Sequence, residues 1–412
     1  MLSSNTLTPK VNKSISNVLV IFVIYFSTKG SDLANNPIAS LSISLLFIFY
    51  TYYVGIKFPK TFYYLISSLW LYFTLLFIKF NEFTPLFYSR VFSIFVLGYI
   101  ALFLTKDRFI PIYIKIVTYL SFVSVAFYIL GIYSYSTLFS IGDFLSNSLL
   151  LKSELSSQIE YRNLLIYTIR PFEERFRNSG FMWEPGSFSV VVGLALYLNL
   201  ALSKFKLNRT AIILFITLLT TQSTTGYVIL MLNTLFYLIN KKVNIKMYLT
   251  PFLILCGIYL WQLDFMGKKI QELSSDPDEK LEIFYDSKSN TGAQSLGRFA
   301  GLIYNLEGVK LSPIFGIGSH EEVLYSRSQI YLYSTNGIGQ FLMTFGYLGL
   351  FFFLITMFVA CKNLSAYYSY KGGWTLFIVL LVGGFSFLVF MSPIFCTILF
   401  FSSVFKNVEF SS

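Results

Sequence analysis

Arg170, Arg175 and Arg177 fall within eight positions, and Trp183-Glu184-Pro185-Gly186 follows closely. A guanidinium grips phosphate oxygens in pairs, so arginines at this density suit an anionic headgroup or a pyrophosphate. The ordinary alternative is pairing with Glu173 and Glu174 in an interfacial loop. Glu184 precedes a proline that fits the first position of a helix, so its charge can complement the helix N-terminus. It can equally orient a sugar hydroxyl or take its proton. Trp183 offers a ring to stack on a sugar or to join an aromatic belt at a membrane surface. A second group comes later in the chain: Arg298, then Pro313-Ile314-Phe315-Gly316-Ile317-Gly318, then His320, the sole histidine. The glycines allow a tight turn beside a ligand. His320 reads as a group on an exposed polar loop, able to bind or deprotonate an acceptor. Arg90, near the outer end of an apolar run, is a further phosphate contact or an interface anchor. A single histidine excludes a multi-histidine metal site, and no cofactor is expected. Cys256, Cys361 and Cys396 sit in or beside apolar runs without CxxC spacing and read as inert.

The elements that must position these groups are membrane helices. Of 412 residues, 55% are hydrophobic and 12% charged. Soluble domains carry about twice that charge, so lipid must be the main solvent. The net charge of +11 comes without a basic cluster interleaved with polar sequence, which argues against nucleic acid. Apolar runs near 15–27, 38–56, 61–79, 86–105, 112–133, 185–203, 210–222, 226–240, 248–263, 337–360, 374–391 and 394–405 predict about twelve transmembrane helices. The first lacks a small-residue cleavage site and reads as a retained span. Gln222 to Gly226 predicts a tight polar hairpin or a kink in one long helix, and Met391-Ser392-Pro393 breaks the last pair.

With the N-terminus inside, fifteen Lys and Arg fall in inner loops, against Lys29, Lys79 and Arg90 in the short outer ones. The chain then divides into N-terminal membrane helices (1–133), a first outer loop (134–184), central helices (185–263), a second outer loop (264–336) and C-terminal helices (337–412). Nearly all polar sequence falls in the two outer loops. The second opens with an acidic stretch, Gln271 to Asn290, and continues with Leu296, Phe299, Ala300, Ile303 and Leu306 at helical spacing. That segment predicts an amphipathic helix lying on the outer leaflet, with Arg298 in its first turn.

This layout resembles the O-antigen polymerase and ligase superfamily, which comprises Wzy-type polymerases and lipopolysaccharide O-antigen ligases. Arg177-x-x-Gly180-Phe181-x-Trp183-Glu184-Pro185 looks like the family's Arg-x-x-Gly…Pro lead into a spanning helix. Gly297-Arg298, the amphipathic helix and Pro313-x-x-Gly316-x-Gly318 look like its second outer loop, and Thr335-Asn336-x-x-x-Gln340 like the start of its next helix. Thr335 stands where many members have His, and Thr224 where many have Arg.

The resemblance implies an all-α polytopic fold of the GT-C type in a bacterial inner membrane, with cytoplasmic termini and a periplasmic active face. It implies a metal-independent inverting glycosyltransferase that moves a growing glycan from undecaprenyl pyrophosphate onto a lipid-linked repeat unit. A chain-length regulator is an expected partner. On this reading Arg177 and Arg298 hold the pyrophosphate, with Arg90 and Arg170 as further contacts. Glu184 or His320 serves the acceptor, and Trp183 its sugar. Two alternatives stay open: an O-antigen ligase, and a lipid-linked oligosaccharide flippase or other transporter. Transporters place ionisable groups near the bilayer midplane, where this chain has almost none.

Overall fold

The computed structural model describes residues 11–29, 31–148, 152–153, 161–170, 176–241, 294–296, 298–320 and 332–405. It is mostly helical. The helices are α1 (Lys13–Ser27), α2 (Asp32–Asn35), α3 (Pro37–Tyr53), α4 (Lys60–Phe80), α5 (Pro85–Thr105), α6 (Phe109–Tyr133), α7 (Tyr135–Ser148), α8 (Pro185–Leu202), α9 (Arg209–Thr220), α10 (Thr224–Asn240), α11 (Arg298–Val309), α12 (Gly337–Tyr367), α13 (Gly373–Ser386), α14 (Pro393–Leu399) and α15 (Phe401–Val404). Four helical stretches are long and apolar enough to cross a membrane: Lys60–Phe80, Pro85–Tyr133, Pro185–Leu202 and Gly337–Tyr367. The second of these is broken at Lys106, whose φ is 48°. Shorter apolar helices follow the other predicted runs, while 248–263 and the acidic stretch lie outside the described residues.

Helix α8 is the hub, buried along nearly its whole length against α6, α9, α10 and α13. Small residues permit this closeness. A Cβ on Gly193 would meet Ile229, and one on Gly383 would meet Val190. In lipid the hydrophobic effect does not drive helices together, so packing and interhelical hydrogen bonds must do so. Ser40 and Ser93 hydroxyls meet at 2.7 Å, Tyr113 donates to the Val191 carbonyl at 2.9 Å, and Thr225 donates to Ser386 at 2.8 Å. Each is worth about 0.6–2 kcal/mol in a bilayer. The flanks present Phe49, Tyr64, Leu71, Ile78 and Phe122 outward, as a lipid-solvated surface requires.

The segment 209–240 is two helices, as the hairpin reading expects, broken at Gln222 with left-handed backbone and restarted by Ser223 as N-cap. Two predicted features resolve differently. The all-α reading misses five short strands. β1 (Lys152–Ser153), β2 (Tyr161–Asn163) and β3 (Thr168–Ile169) form an antiparallel sheet between α7 and α8 in sequence, packed beside α7. β4 (Gln294–Leu296) pairs in parallel with β5 (Leu332–Ser334), which ties the start of α11 to the start of α12. Two- and three-residue strands carry too little alternation to be read from sequence. The stripe predicted for α11 also divides: Phe299 and Leu306 are exposed, while Ala300, Gly301, Tyr304, Asn305 and Gly308 form its buried face. Ala300, Gly301 and Gly308 alternate with Tyr304, Asn305 and Val309 on the face that docks this helix on the bundle.

Candidate active site

The carboxylate of Glu184 is the centre of the candidate site. Glu184 is the N-cap of α8 by position, and Pro185 supplies the first helical residue. Its side chain makes no capping bond to the backbone; it accepts from the Ser187 hydroxyl at 3.1 Å. The turn that delivers it is pinned on two sides. Asn178 donates to Ser124 of α6 at 3.1 Å and to Thr220 of α9 at 2.9 Å, and accepts from the Gly180 amide at 2.9 Å. Gly180 has φ +51°, and a Cβ there would strike the Phe188 ring. Glycine is therefore required at this point of the motif.

Glu184 lies deep in the protein while keeping part of its surface open. Burial pushes its carboxyl above the ordinary glutamate range. The guanidiniums of Arg170 and Arg298, the Ser187 hydroxyl and then Arg177 pull the other way without overcoming it. Three predicted arginines thus converge on one carboxylate. Burial and Arg177 draw Arg298 below its ordinary range, and Glu184 opposes this; an arginine stays charged through such a change. Arg170 is held through its backbone, whose carbonyl accepts from Tyr135 at 2.7 Å. Arg175, Glu173 and Glu174 lie outside the described residues.

Arg298 opens α11, and Asn336 fixes it there. The Asn336 amide donates to the Arg298 carbonyl at 3.2 Å, while its oxygen caps α12 through the Gly339 amide at 2.7 Å. The Arg298 guanidinium lies 4.9 Å from the centre of the Phe387 ring, a cation–π contact. Phe387 begins a non-helical step between α13 and α14. It is packed so closely that a Cβ on Gly186 would overlap its ring, and one on Gly337 its carbonyl. Arg298 also borders an open groove of about 440 Å³ between α10, α12 and α13, walled by Thr224, Thr225, Val228, Leu381 and Phe385 among others. The groove is almost wholly apolar.

Lys29, which the sequence offers only as a topology marker, belongs to the same centre. It follows α1 with left-handed backbone (φ 51°) and donates to the Leu388 carbonyl at 3.3 Å. Its ammonium lies 5.8 Å from the centre of the Trp183 ring. Burial and the nearby Arg90 pull it from 10.5 to about 8, against a weaker opposing pull from Glu184. The available sequence signal was the rarity of charge: a lone lysine at the end of an apolar run. Arg90, in the second turn of α5, is exposed and donates to the Asn35 carbonyl at 3.2 Å.

His320 departs from expectation. It is buried, at 4% exposure, and its ring stacks on Phe80 with centroids 4.4 Å apart. Nδ1 meets the Ile317 carbonyl at 3.0 Å. Nε2 lies 3.2 Å from a Glu82 carboxylate oxygen, close enough for an ion pair on protonation but not aligned as a hydrogen bond. The loop is polar in sequence yet folds against the C-terminal end of α4. His320 is also absent from the groups that act on Glu184.

The Gly-x-Gly step has a structural role. The Ile317 and Gly318 amides donate to the Met343 and Thr344 carbonyls at 2.9 and 3.1 Å, where α12 kinks at Gly346. Non-helical backbone at this depth is tolerated because each strand of chain satisfies the other. A Cβ on Gly316 would strike the Thr344 carbonyl. No protein-family model matches the chain, and no curated protein matches it.

Proposed function

We propose that the chain is a polysaccharide polymerase that transfers a growing glycan from undecaprenyl pyrophosphate onto a lipid-linked repeat unit. The observation that carries this reading is the convergence of Arg170, Arg177 and Arg298 on the buried Glu184, beside an apolar groove that Arg298 borders. An apolar groove with a cation at its edge suits a lipid whose head is a diphosphate. In the reaction the acceptor hydroxyl oxygen bonds to the anomeric carbon of the donor sugar. The bond from that carbon to the diphosphate oxygen breaks, and the diphosphate leaves with the electron pair. Arginines placed where that charge grows lower the barrier. The hydroxyl proton passes to Glu184, whose raised affinity for a proton suits a general base. Glu184 is preferred to His320 because the imidazole is packed against Phe80 and Glu82.

The reading brings with it about twelve spans in a GT-C-type arrangement, a bacterial inner membrane and a periplasmic site. A chain-length regulator is its expected partner. Purified protein in liposomes with lipid-linked repeat units should produce a ladder of polymer. Arg298→Ala should abolish long chains while the protein stays in the membrane. Normal chain length from that variant, or no ladder from folded wild type, would overturn the reading.

A further inference from the structure

A second cavity, of about 480 Å³, shares no lining residue with the Arg298 groove among the described residues and is walled in part by Leu388, the residue after the Phe387 ring that Arg298 lies over. Lys29, Arg90, Asn35, Ser319 and Gln340 are among its walls. Its size suits a small polar ligand, since binding pockets run from about 300 to 1,000 Å³. Two cations face each other there, and among the described residues neither has a carboxylate within ion-pair distance. Lys29 spends its hydrogen bond on one carbonyl, and Arg90 does the same. The Ser319 hydroxyl has no hydrogen-bond partner among the described residues. Buried polar groups ordinarily find partners, and like charges held together repel, so Lys29, Arg90 and the Ser319 hydroxyl form a wall suited to an anion.

Lys29 is also held in left-handed backbone, which a non-glycine residue adopts at a cost. Glu184 acts electrostatically on both Lys29 and Arg298.

We propose that the Lys29–Arg90 cavity is a second diphosphate-binding site, separate from the Arg298 groove, and that it holds the diphosphate of the acceptor while the groove takes that of the donor. The assignment to the acceptor rests on the polymerase reading; the existence of the site does not. The arrangement explains why one carboxylate serves two anionic substrates: each diphosphate has its own cations, and the sugars meet between them.

Calorimetric titration of the full chain in nanodiscs tests this, with farnesyl diphosphate as the lipid-borne probe and inorganic pyrophosphate as the free one. Wild type should bind two farnesyl diphosphates, and inorganic pyrophosphate should compete at the polar cavity. Lys29→Gln and Arg90→Gln should each weaken one site by about tenfold to a hundredfold and leave the other intact. Arg298→Gln should do the reverse, so the surviving site in each variant also reports a folded protein. Lys29→Arg should keep both sites, and Lys29→Met, which should lose the same site, replaces the glutamine variant if that one does not fold. A single site in wild type, or two unchanged sites in the Lys29 and Arg90 glutamine variants, would overturn the proposal. Two sites without a polymer ladder would remove the polymerase reading and leave this site standing; a ladder with one site would do the converse.

Discussion

Replacing Lys29 by methionine measures what the cavity costs the fold. The ammonium falls from 10.5 to about 8, which corresponds to about 3 kcal/mol at about 1.4 kcal/mol per pH unit. The sign follows from proton binding. Below about 8, Lys29 is charged in both folded and unfolded chains, and the full penalty applies. Between about 8 and 10.5 the unfolded chain holds the proton and the folded one does not, so stability climbs with pH. Above that window the penalty is gone. Methionine keeps the stem and drops the charge, but it forfeits the bond to the Leu388 carbonyl, worth about 1 kcal/mol. The variant should therefore be about 2 kcal/mol more stable at neutral pH, a rise of about 2 °C in melting temperature for a chain of this length. Thermal unfolding in detergent, read by tryptophan fluorescence, gives the assay. The gap between variant and wild type should shrink as pH passes about 8, close before 10.5, and reverse by about 1 kcal/mol above it, where only the lost hydrogen bond remains. Pyrophosphate should also shrink it, by stabilising only the chain that binds it there. A methionine variant that melts at or below wild type at neutral pH, or a gap indifferent to pH, would refute the reasoning.

Glu184→Gln should abolish polymer yet raise the melting temperature at neutral pH. A carboxyl whose folded pKa is raised gives most stability below its unfolded pKa and loses it as pH rises through the folded one. For the same reason the acid limb of wild-type polymerisation should lie above the ordinary glutamate range, as a pH profile would show. Asn336→Ala should cost about 1 kcal/mol through the lost cap and shorten the polymer. Asn336→Asp keeps the cap but cannot donate to the Arg298 carbonyl, so a melting curve near wild type with shortened polymer would separate the two roles. Gly316→Ala should destabilise the protein more than Gly318→Ala. The first meets the Thr344 backbone, the second mainly the movable end of Leu76, and both lie at positive φ.

Much of the helical frame was legible because apolar runs are long and charge is sparse. The grouping of Arg177 and Arg298 with Glu184 was an expectation from the resemblance and the scarcity of charge, whereas Arg170 joins them in acting on Glu184 only through the fold. Other parts were hidden for identifiable reasons. His320 looked exposed because its neighbours in sequence are polar, yet its burial is set by Phe80, 240 residues earlier. Gly316 looked like a ligand-cradling residue, whereas its neighbour in space is the kink at Gly346. Lys29 and Leu388 share no local pattern at all. Their meeting depends on the helix break at Phe387, which apolar composition alone conceals.

The bond between Lys29 and Leu388 joins residues 359 positions apart. A nascent chain presents its N-terminal parts first. Lys29, Arg90, Glu184 and Arg298 are all synthesised before the Phe387–Leu388 step that lies against Lys29 and Arg298. The candidate site is thus completed by a segment made after all four of its charged groups. A copy cut short before Phe387 would carry the arginines and the carboxylate without the carbonyl and the ring that Lys29 and Arg298 lie against.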